Sequence, residues 1–375
     1  MVSRRSRIIT IIILSISFLS IVSYFLFTYN AKNKANIDTL NQNSVVQDSK
    51  EDFLDMTLEE KVGQLFIFGF WGTEPDYYIT KMISERYIGG VILLGYNLES
   101  PKQIRKLTSD LQSLSKTPLF ISIDQEGGTV SRLKPPIVSD DTAQKEIKNE
   151  AEAYNVAYTR GTELKVLGIN MNFSPVVDNI TNENSFLYDR VFRDDITLLA
   201  NGMVNGYSDA KVIPVIKHFP GHGNESKDPH DVLSVVNLER KDLESYLKDF
   251  KVVFENRNSH AVMIGHILAP KISSDPASLS KIFVTDILRN DLKFKGISIT
   301  DDIQMKALTK SYSIQEATLK ALLAGNDILM FTGVPEQQAE AYEAVLNGVR
   351  DGSISEEFID EKVRRILDLK SLFEL

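Results

Sequence analysis

The sequence predicts an α/β fold in which eight parallel strands and their helices close into a (β/α)8, TIM-type barrel. From residue 52 onward, short apolar runs alternate with longer amphipathic stretches, and eight such runs fit the roughly 250 or more residues of this barrel. Their near-continuous apolar character suits strands that are buried on both faces. Polar side chains follow several runs, where a barrel would gather them at one mouth. An open doubly wound sheet is the alternative that the same alternation permits.

The predicted strands and helices alternate along the whole body of the chain. The eight strands are residues 64–70, 89–94, 119–124, 170–174, 212–218, 261–266, 296–300 and 327–331. Amphipathic periodicity predicts helices over residues 101–114, 143–167, 196–208, 240–256 and 314–324, with a closing helix over 356–372. We therefore expect residues 52–375 to form a single catalytic domain.

A different kind of sequence precedes this body. Arg4, Arg5 and Arg7 stand before an uncharged, mostly apolar run over residues 8–28, close to the roughly 20 residues that cross a bilayer core. Basic residues on the short N-terminal side favour keeping that end in the cytoplasm. We expect residues 1–28 to be a transmembrane anchor, with a cleaved signal segment as the alternative, and residues 29–51 to be a flexible polar tether. The body would then be extracytoplasmic, anchored to the cell membrane or secreted.

Composition excludes several classes of function. The formal net charge of -9 leaves no basic footprint for nucleic acid. The absence of cysteine excludes disulfides, thiolate catalysis and cysteine-based metal sites. We also expect the protein to be a monomer.

Three of the five histidines, His218, His222 and His230, fall within thirteen residues, which begin at the last residue of the predicted strand over 212–218. Histidine titrates near neutral pH and can both donate and accept a proton. One interpretation is a zinc site that Asp228 would complete. Ligands four residues apart belong most naturally on a helix, which the Pro-Gly sequence of this segment opposes.

Two carboxylates follow the predicted strand over 296–300. Asp301 stands at the strand end, where it could act as the nucleophile of a retaining glycosidase, and Asp302 is predicted to cap the following helix. Such an enzyme also needs a proton donor. His230, held by Asp228, could supply the proton, although a turn with a surface histidine explains the same residues.

Taken together, these motifs resemble glycoside hydrolase family 3, in its β-N-acetylglucosaminidase branch. The resemblance begins with the sequence Lys-His-Phe-Pro-Gly-His-Gly at 217–223, followed by Asp228 and His230. It extends through residues 56–65, 89–93, 123–128, 172–176, 189–192, 300–305 and 324–328. One position departs from the family pattern, because Pro229 stands where serine is usual.

The resemblance implies a barrel enzyme that releases terminal β-linked N-acetylglucosamine, with retention, from peptidoglycan fragments or chitooligosaccharides. By position, Asp301 is the nucleophile and His230 the acid/base, with Asp228 as its partner. Asp124 would hold sugar hydroxyls, and the remaining residues of the sugar subsite would be Arg132, Arg190, Lys217 and His218. No metal or organic cofactor is implied.

Other interpretations stay open at this stage. Each basic residue of the predicted subsite could instead be a structural ion-pair partner. Within the enzyme class, the alternatives are a β-N-acetylglucosaminide phosphorylase and a β-glucosidase or β-xylosidase. Outside it, the alternatives are a non-catalytic protein that binds wall sugars and a zinc hydrolase.

Overall fold

The computed structural model describes residues 55–224 and 233–375. The predicted membrane segment and tether lie outside the described residues, and so do Asp228, Pro229 and His230. Within the described ranges, no helix combines the length and the apolar character that crossing a membrane requires.

Eight parallel strands close into a barrel. In chain order the strands are β1 Phe66–Gly69, β2 Gly90–Leu93, β3 Phe120–Ile123, β4 Gln125–Gly127, β5 Val130–Ser131, β6 Met171–Asn172, β7 Ile213–Phe219, β8 Ser234–Val235, β9 Ala261–Ile264, β10 Ile267–Leu268, β11 Ile297–Asp302 and β12 Ile328–Phe331. The order around the barrel is β1-β12-β11-β9-β7-β6-β3-β2. The pairs β4–β5 and β8–β10 form separate small sheets. The predicted barrel is confirmed, and each predicted strand contains or overlaps one barrel strand.

Helices connect these strands. The α-helices of the described residues are Leu58–Gln64, Tyr77–Ser84, Pro101–Ser113, Glu150–Val166, Ile196–Asp209, Leu243–Tyr246, Lys248–Phe254, Lys306–Thr309, Ile314–Ala324, Pro335–Arg350 and Glu356–Leu372, and a π-helix covers Ile282–Asp291. Many begin at a polar cap; Ser100, for example, accepts a hydrogen bond from the backbone of Gln103.

Two helix predictions need correction. The helix predicted over 143–167 begins only at Glu150, because the side chain of Asn149 caps it by accepting the backbone N–H of Glu152. The helix predicted over 240–256 is interrupted at Leu247, whose backbone (φ -92°, ψ 5°) leaves the helical region. Amphipathic periodicity does not register either break.

One buried lysine lies at the N-terminal ends of β1, β2 and β3. Lys370, on the closing helix, donates hydrogen bonds to Gln64 Oε1 (2.6 Å) and to the carbonyl oxygen of Gly89 (3.0 Å). Its ammonium group lies 4.8 Å from the ring centroid of Phe120. Burial lowers the pKa of Lys370 to about 7, because the loss of hydration disfavours the charged form of the ammonium group.

We expect the free energy of unfolding of the native chain to rise with pH because of Lys370, and Lys370→Met to remove this rise. Between pH 7 and the unfolded pKa of 10.5, the unfolded chain binds a proton that the folded chain does not. The contribution of Lys370 to the free energy of unfolding therefore becomes more favourable to the folded state as pH rises through that window. Urea unfolding of the native chain and of Lys370→Met near the two ends of this pH window measures the change. Lys102→Met, on an exposed helix face, is the control. Equal pH dependence in Lys370→Met and the native chain would contradict the prediction.

Candidate active site

The polar residues singled out by the sequence lie at the C-terminal ends of different barrel strands. Asp124 directly follows β3, Lys217 and His218 lie near the end of β7, and Asp301 lies near the end of β11. His266 follows β9 by two residues. The barrel therefore brings these side chains to one mouth, as its topology requires.

Asp124 is a partly exposed carboxylate held by two cations. Lys217 Nζ lies 2.7 Å from Asp124 Oδ1, and Arg132 Nη2 lies 3.5 Å from Asp124 Oδ2. The side chain of Lys217 is 2% exposed, whereas that of Asp124 is 20% exposed. The buried lysine thus holds the carboxylate in place and leaves part of it exposed at the mouth. There the carboxylate can accept hydrogen bonds from hydroxyl groups.

Glu126 forms the buried centre of the charge network and was not singled out from the sequence. Arg190 donates two hydrogen bonds to its carboxylate, from Nε (2.9 Å) and from Nη2 (2.8 Å). Lys217 Nζ lies 2.5 Å from the same carboxylate. Burial alone would raise the pKa of Glu126, but the charges of Arg190 and Lys217 outweigh it and lower this pKa to about 2. Arg190 and Lys217 are therefore ion-pair partners, in addition to their predicted contacts with sugar.

The small sheet of β4 and β5 positions Glu126, which lies in β4, and Arg132, which directly follows β5. The side-chain amide of Asn172 binds the backbone of Gln125 at two points, because its Oδ1 accepts the N–H of Gln125 and its Nδ2 donates to the carbonyl oxygen of Gln125, each at 2.9 Å. The side chain of Gln125 accepts the backbone N–H of Arg132 (2.9 Å). Gly127 has φ +90°, and a Cβ there would lie 2.1 Å from the carbonyl oxygen of Thr142. The Gln-Glu-Gly-Gly motif thus has a structural cause, because only glycine fits this close turn.

Asp178 organises the histidine segment and was likewise not singled out from the sequence. It accepts hydrogen bonds from the backbone N–H of His218 (2.9 Å) and of His222 (2.7 Å), and it lies 2.8 Å from His218 Nδ1. His222 Nδ1 lies 2.9 Å from Ser234 Oγ. Burial lowers the pKa of His222 to about 3, so its imidazole stays neutral at physiological pH. His222 therefore shapes the loop through its hydrogen bonds to Asp178 and Ser234.

The same three residues bear on the zinc interpretation. Asp178, His218 and His222 offer ligand atoms that all lie within 4.8 Å of one another. However, both carboxylate oxygens of Asp178 already accept hydrogen bonds from the two histidines. The hydrogen bonds explain the cluster without an ion, as a support that orients His218 at the mouth.

Asp301 and Asp302 have different environments. Asp302 accepts hydrogen bonds from the backbone N–H groups of Gln304 (3.0 Å) and Thr332 (3.1 Å). The prediction that it caps the following helix is wrong, because that helix, Lys306–Thr309, has Met305 at its N-cap position. Burial would raise the pKa of Asp301, but the charges of His266 and His218 help to hold it below its usual value of 3.8. Asp301 is therefore expected to be ionised at neutral pH.

His266 is held on both ring nitrogens. Its Nδ1 lies 2.7 Å from Ser278 Oγ, and its Nε2 lies 2.9 Å from the carbonyl oxygen of Asp302. These contacts make it a buried histidine that supports the end of the strand.

Comparison with known proteins agrees with this geometry. The profile of the glycosyl hydrolase family 3 N-terminal domain matches residues 57–369. A β-hexosaminidase from Nitrosomonas eutropha is 32% identical over 292 residues, which are 74% of this chain and 82% of that protein. The chain belongs to glycoside hydrolase family 3, and it is a glycoside hydrolase.

Solved structures of the family superimpose well on the barrel. A family 3 β-N-acetylglucosaminidase from Paenibacillus sp. str. FPU-7 has a TM-score of 0.82 and 36% identity, and the match covers 85% of this chain and 63% of that one. A β-glucoside phosphorylase, BglX bound to 2FGlc, has a TM-score of 0.78 and 26% identity over 88% of this chain and 61% of that one. The chain thus spans less than two thirds of both of these structures.

We expect Glu126→Gln to destabilise the fold by about 3–5 kcal/mol, because it leaves two buried cations without their shared anion. The Glu126 carboxylate stabilises the fold above its ordinary pKa of 4.5, and this contribution is lost as pH falls toward about 2. The stability difference between native and variant protein should therefore shrink in acid. Urea unfolding at neutral and acidic pH measures it.

Glu239→Gln is the matched control, since Glu239 pairs with Lys241 and Lys271 on the exposed surface. It should change stability little. An equally small effect of Glu126→Gln would show that the buried network does not hold the mouth together.

Proposed function

We propose that this chain is a retaining exo-β-N-acetylglucosaminidase, which removes terminal N-acetylglucosamine from peptidoglycan fragments or chitooligosaccharides. The observation that carries the proposal is the pairing of an ionised Asp301 at one strand end with a cation-held, accessible Asp124 at another. The names of the relatives, a β-hexosaminidase and a β-N-acetylglucosaminidase, support N-acetylglucosamine as the sugar.

In the first half of the reaction, the Asp301 carboxylate attacks the anomeric carbon of the terminal sugar. The carbon–oxygen bond to the leaving group breaks as a glycosyl ester to Asp301 forms. The departing oxygen needs a proton, which we assign to His230, oriented by Asp228. Both residues lie outside the described part of the chain, so this assignment rests on the sequence motif alone.

In the second half, water replaces the enzyme carboxylate at the anomeric carbon. The neutral imidazole of His230 takes one proton from water as the water oxygen attacks the anomeric carbon, and Asp301 leaves as a carboxylate. Two displacements at the same carbon retain the β configuration. Throughout, Asp124 and Arg132 would hold the hydroxyl groups of the sugar, with Lys217 and His218 beneath them.

Transfer to phosphate is the second candidate function. It is favoured by the structural similarity to a β-glucoside phosphorylase. In that reaction, inorganic phosphate replaces water in the second half and the product is a sugar 1-phosphate. The two functions share Asp301 and differ only in the acceptor.

We expect Asp301→Asn to lower kcat on an aryl β-N-acetylglucosaminide by about a thousandfold or more, because the amide cannot form the glycosyl ester. Asp302→Asn is the neighbouring control, whose loss should follow stability rather than chemistry. The measurement is initial-rate kinetics together with thermal unfolding of each variant. If Asp301→Asn kept most of the activity, the assigned mechanism would be wrong.

We expect free N-acetylglucosamine as the product from purified peptidoglycan fragments, at a rate that does not depend on phosphate. Chromatography of products with and without inorganic phosphate makes the comparison, and an aryl β-glucoside serves as the control substrate. A phosphate-dependent rate with a sugar 1-phosphate product would favour the phosphorylase instead.

We also propose that the enzyme acts outside the cytoplasm, anchored or secreted through residues 1–28. The proposal is supported by the basic flank and apolar run of that segment. Cell fractionation with alkaline extraction of membranes, followed by N-terminal sequencing, separates anchor from cleaved signal. Recovery of the whole chain from the cytoplasm would contradict both.

A further inference from the structure

Two aromatic side chains stack on each other in the open at the rim of the mouth. The ring centroids of Trp71 and Tyr96 are 4.2 Å apart, with an interplanar angle of 18°. Trp71 is 57% exposed and Tyr96 is 37% exposed. Trp71 is the single tryptophan of the chain. A large aromatic surface left in water is more informative than an isolated exposed aliphatic residue, because such surfaces often bind partners or ligands.

The pair belongs to the same end of the barrel as the catalytic carboxylates. Trp71 follows β1 by two residues, and Tyr96 follows β2 by three. Around the barrel these strands lie between β12, next to the Asp301 strand, and β3, which carries Asp124. Partial burial and the charge of Asp302 raise the pKa of Tyr96, and Arg132 opposes this shift. The aromatic rim therefore lies within electrostatic reach of the mouth.

Hydrogen bonds hold the two rim segments together. The buried side chain of Asn97 donates to the carbonyl oxygens of Phe70 (3.1 Å) and Gly72 (2.7 Å). Gln103 Nε2 donates to the carbonyl oxygens of Thr73 (2.8 Å) and Asn97 (3.1 Å). Because these bonds join the segment after β1 to the segment after β2, the stacked rings are already positioned before any ligand arrives, which lowers the entropic cost of binding.

The chemistry of the rim differs from that of the interior. Inside the mouth, charged groups suit the hydroxyl groups of the ring that is removed. The stacked pair offers a flat, uncharged surface, which suits the C–H face of a further pyranose ring whose hydroxyl groups point to water. A substrate whose terminal ring fills the mouth must extend its remaining rings past the rim.

We propose that Trp71, stacked on Tyr96, binds a sugar ring of the substrate on the leaving-group side of the bond that is cleaved. This inference rests on the proposed function and deepens it, since it makes β-linked oligosaccharides rather than simple glycosides the preferred substrate class. Trp71 is thus a specificity-determining residue, and Tyr96 positions it.

The kinetic test compares a β-linked trisaccharide of N-acetylglucosamine with β-N-acetylglucosaminyl fluoride, whose leaving group carries no ring. Trp71→Ala should lose about tenfold more kcat/KM on the trisaccharide than on the fluoride, with the difference mainly in KM. Trp71→Phe, which keeps an aromatic face, should recover most of this loss. Equal losses on both substrates, or no loss on the trisaccharide, would overturn the proposal.

Tyr158→Ala is the matched control. Tyr158 is also exposed and stacks on Tyr154, with ring centroids 5.9 Å apart, but on the helix Glu150–Val166 rather than at the rim. It should leave the kinetics of both substrates unchanged. A trisaccharide-specific loss in Tyr158→Ala as well would show that removing any exposed ring has this effect, and would overturn the assignment to Trp71.

Fluorescence decides the question even without turnover, because a single tryptophan supplies the indole emission. In the Asp301→Asn full-length chain, the trisaccharide should shift or quench this emission saturably, and the monosaccharide much less. No spectral change, or the same change with both sugars, would overturn the proposal. If the native chain cleaved neither substrate while the trisaccharide still changed the emission, the proposed function would fail and the sugar-binding rim would stand.

Discussion

The buried charges around Lys217 are the interaction on which the geometry of the mouth depends. Lys217 bridges Asp124 and Glu126, and Glu126 in turn binds the guanidinium fork of Arg190. Removing these groups from water is costly, and the cost is offset only while every charge keeps its partner. The network therefore fixes the position of Asp124 in a way that an exposed carboxylate, held by water alone, could not be fixed.

Much of the fold could be predicted from sequence, because a buried strand and an amphipathic helix leave different periodicities. The eight strands emerged in this way, and so did the gathering of Asp124, Lys217 and Asp301 at their ends. The exact ends of helices, and the breaks within them, were harder to predict from periodicity. The start at Glu150 depends on a single cap at Asn149, and the break at Leu247 has no periodic signal.

Glu126 and Asp178 were missed for a different physical reason. Glu126 binds Arg190, 64 positions away, and Asp178 binds His218, 40 positions away. Partners so distant in sequence cannot be inferred from spacing. One signal was available for Glu126, since residues two apart in an extended segment point to the same side, and Glu126 stands two positions after Asp124. No comparable local pattern marks Asp178.

The mouth combines a charged interior with an aromatic rim formed by Trp71 and Tyr96. The interior holds an ionised Asp301 whose pKa lies below its usual value, and that is the state a nucleophile requires. Asp302, although adjacent, is occupied by the backbone of Gln304 and Thr332. The two neighbouring carboxylates therefore have different surroundings, which suit Asp301 to the proposed role of nucleophile and Asp302 to a structural one.

The most direct test of the central claim is to trap the glycosyl ester. A 5-fluoro derivative of β-N-acetylglucosaminyl fluoride slows both displacements, and its good leaving group lets the intermediate accumulate. Digestion and mass spectrometry then locate the labelled residue. We predict one sugar per chain, attached to Asp301 and absent from Asp301→Asn. A label on Asp302 or Glu126, or turnover without any covalent intermediate, would contradict the account.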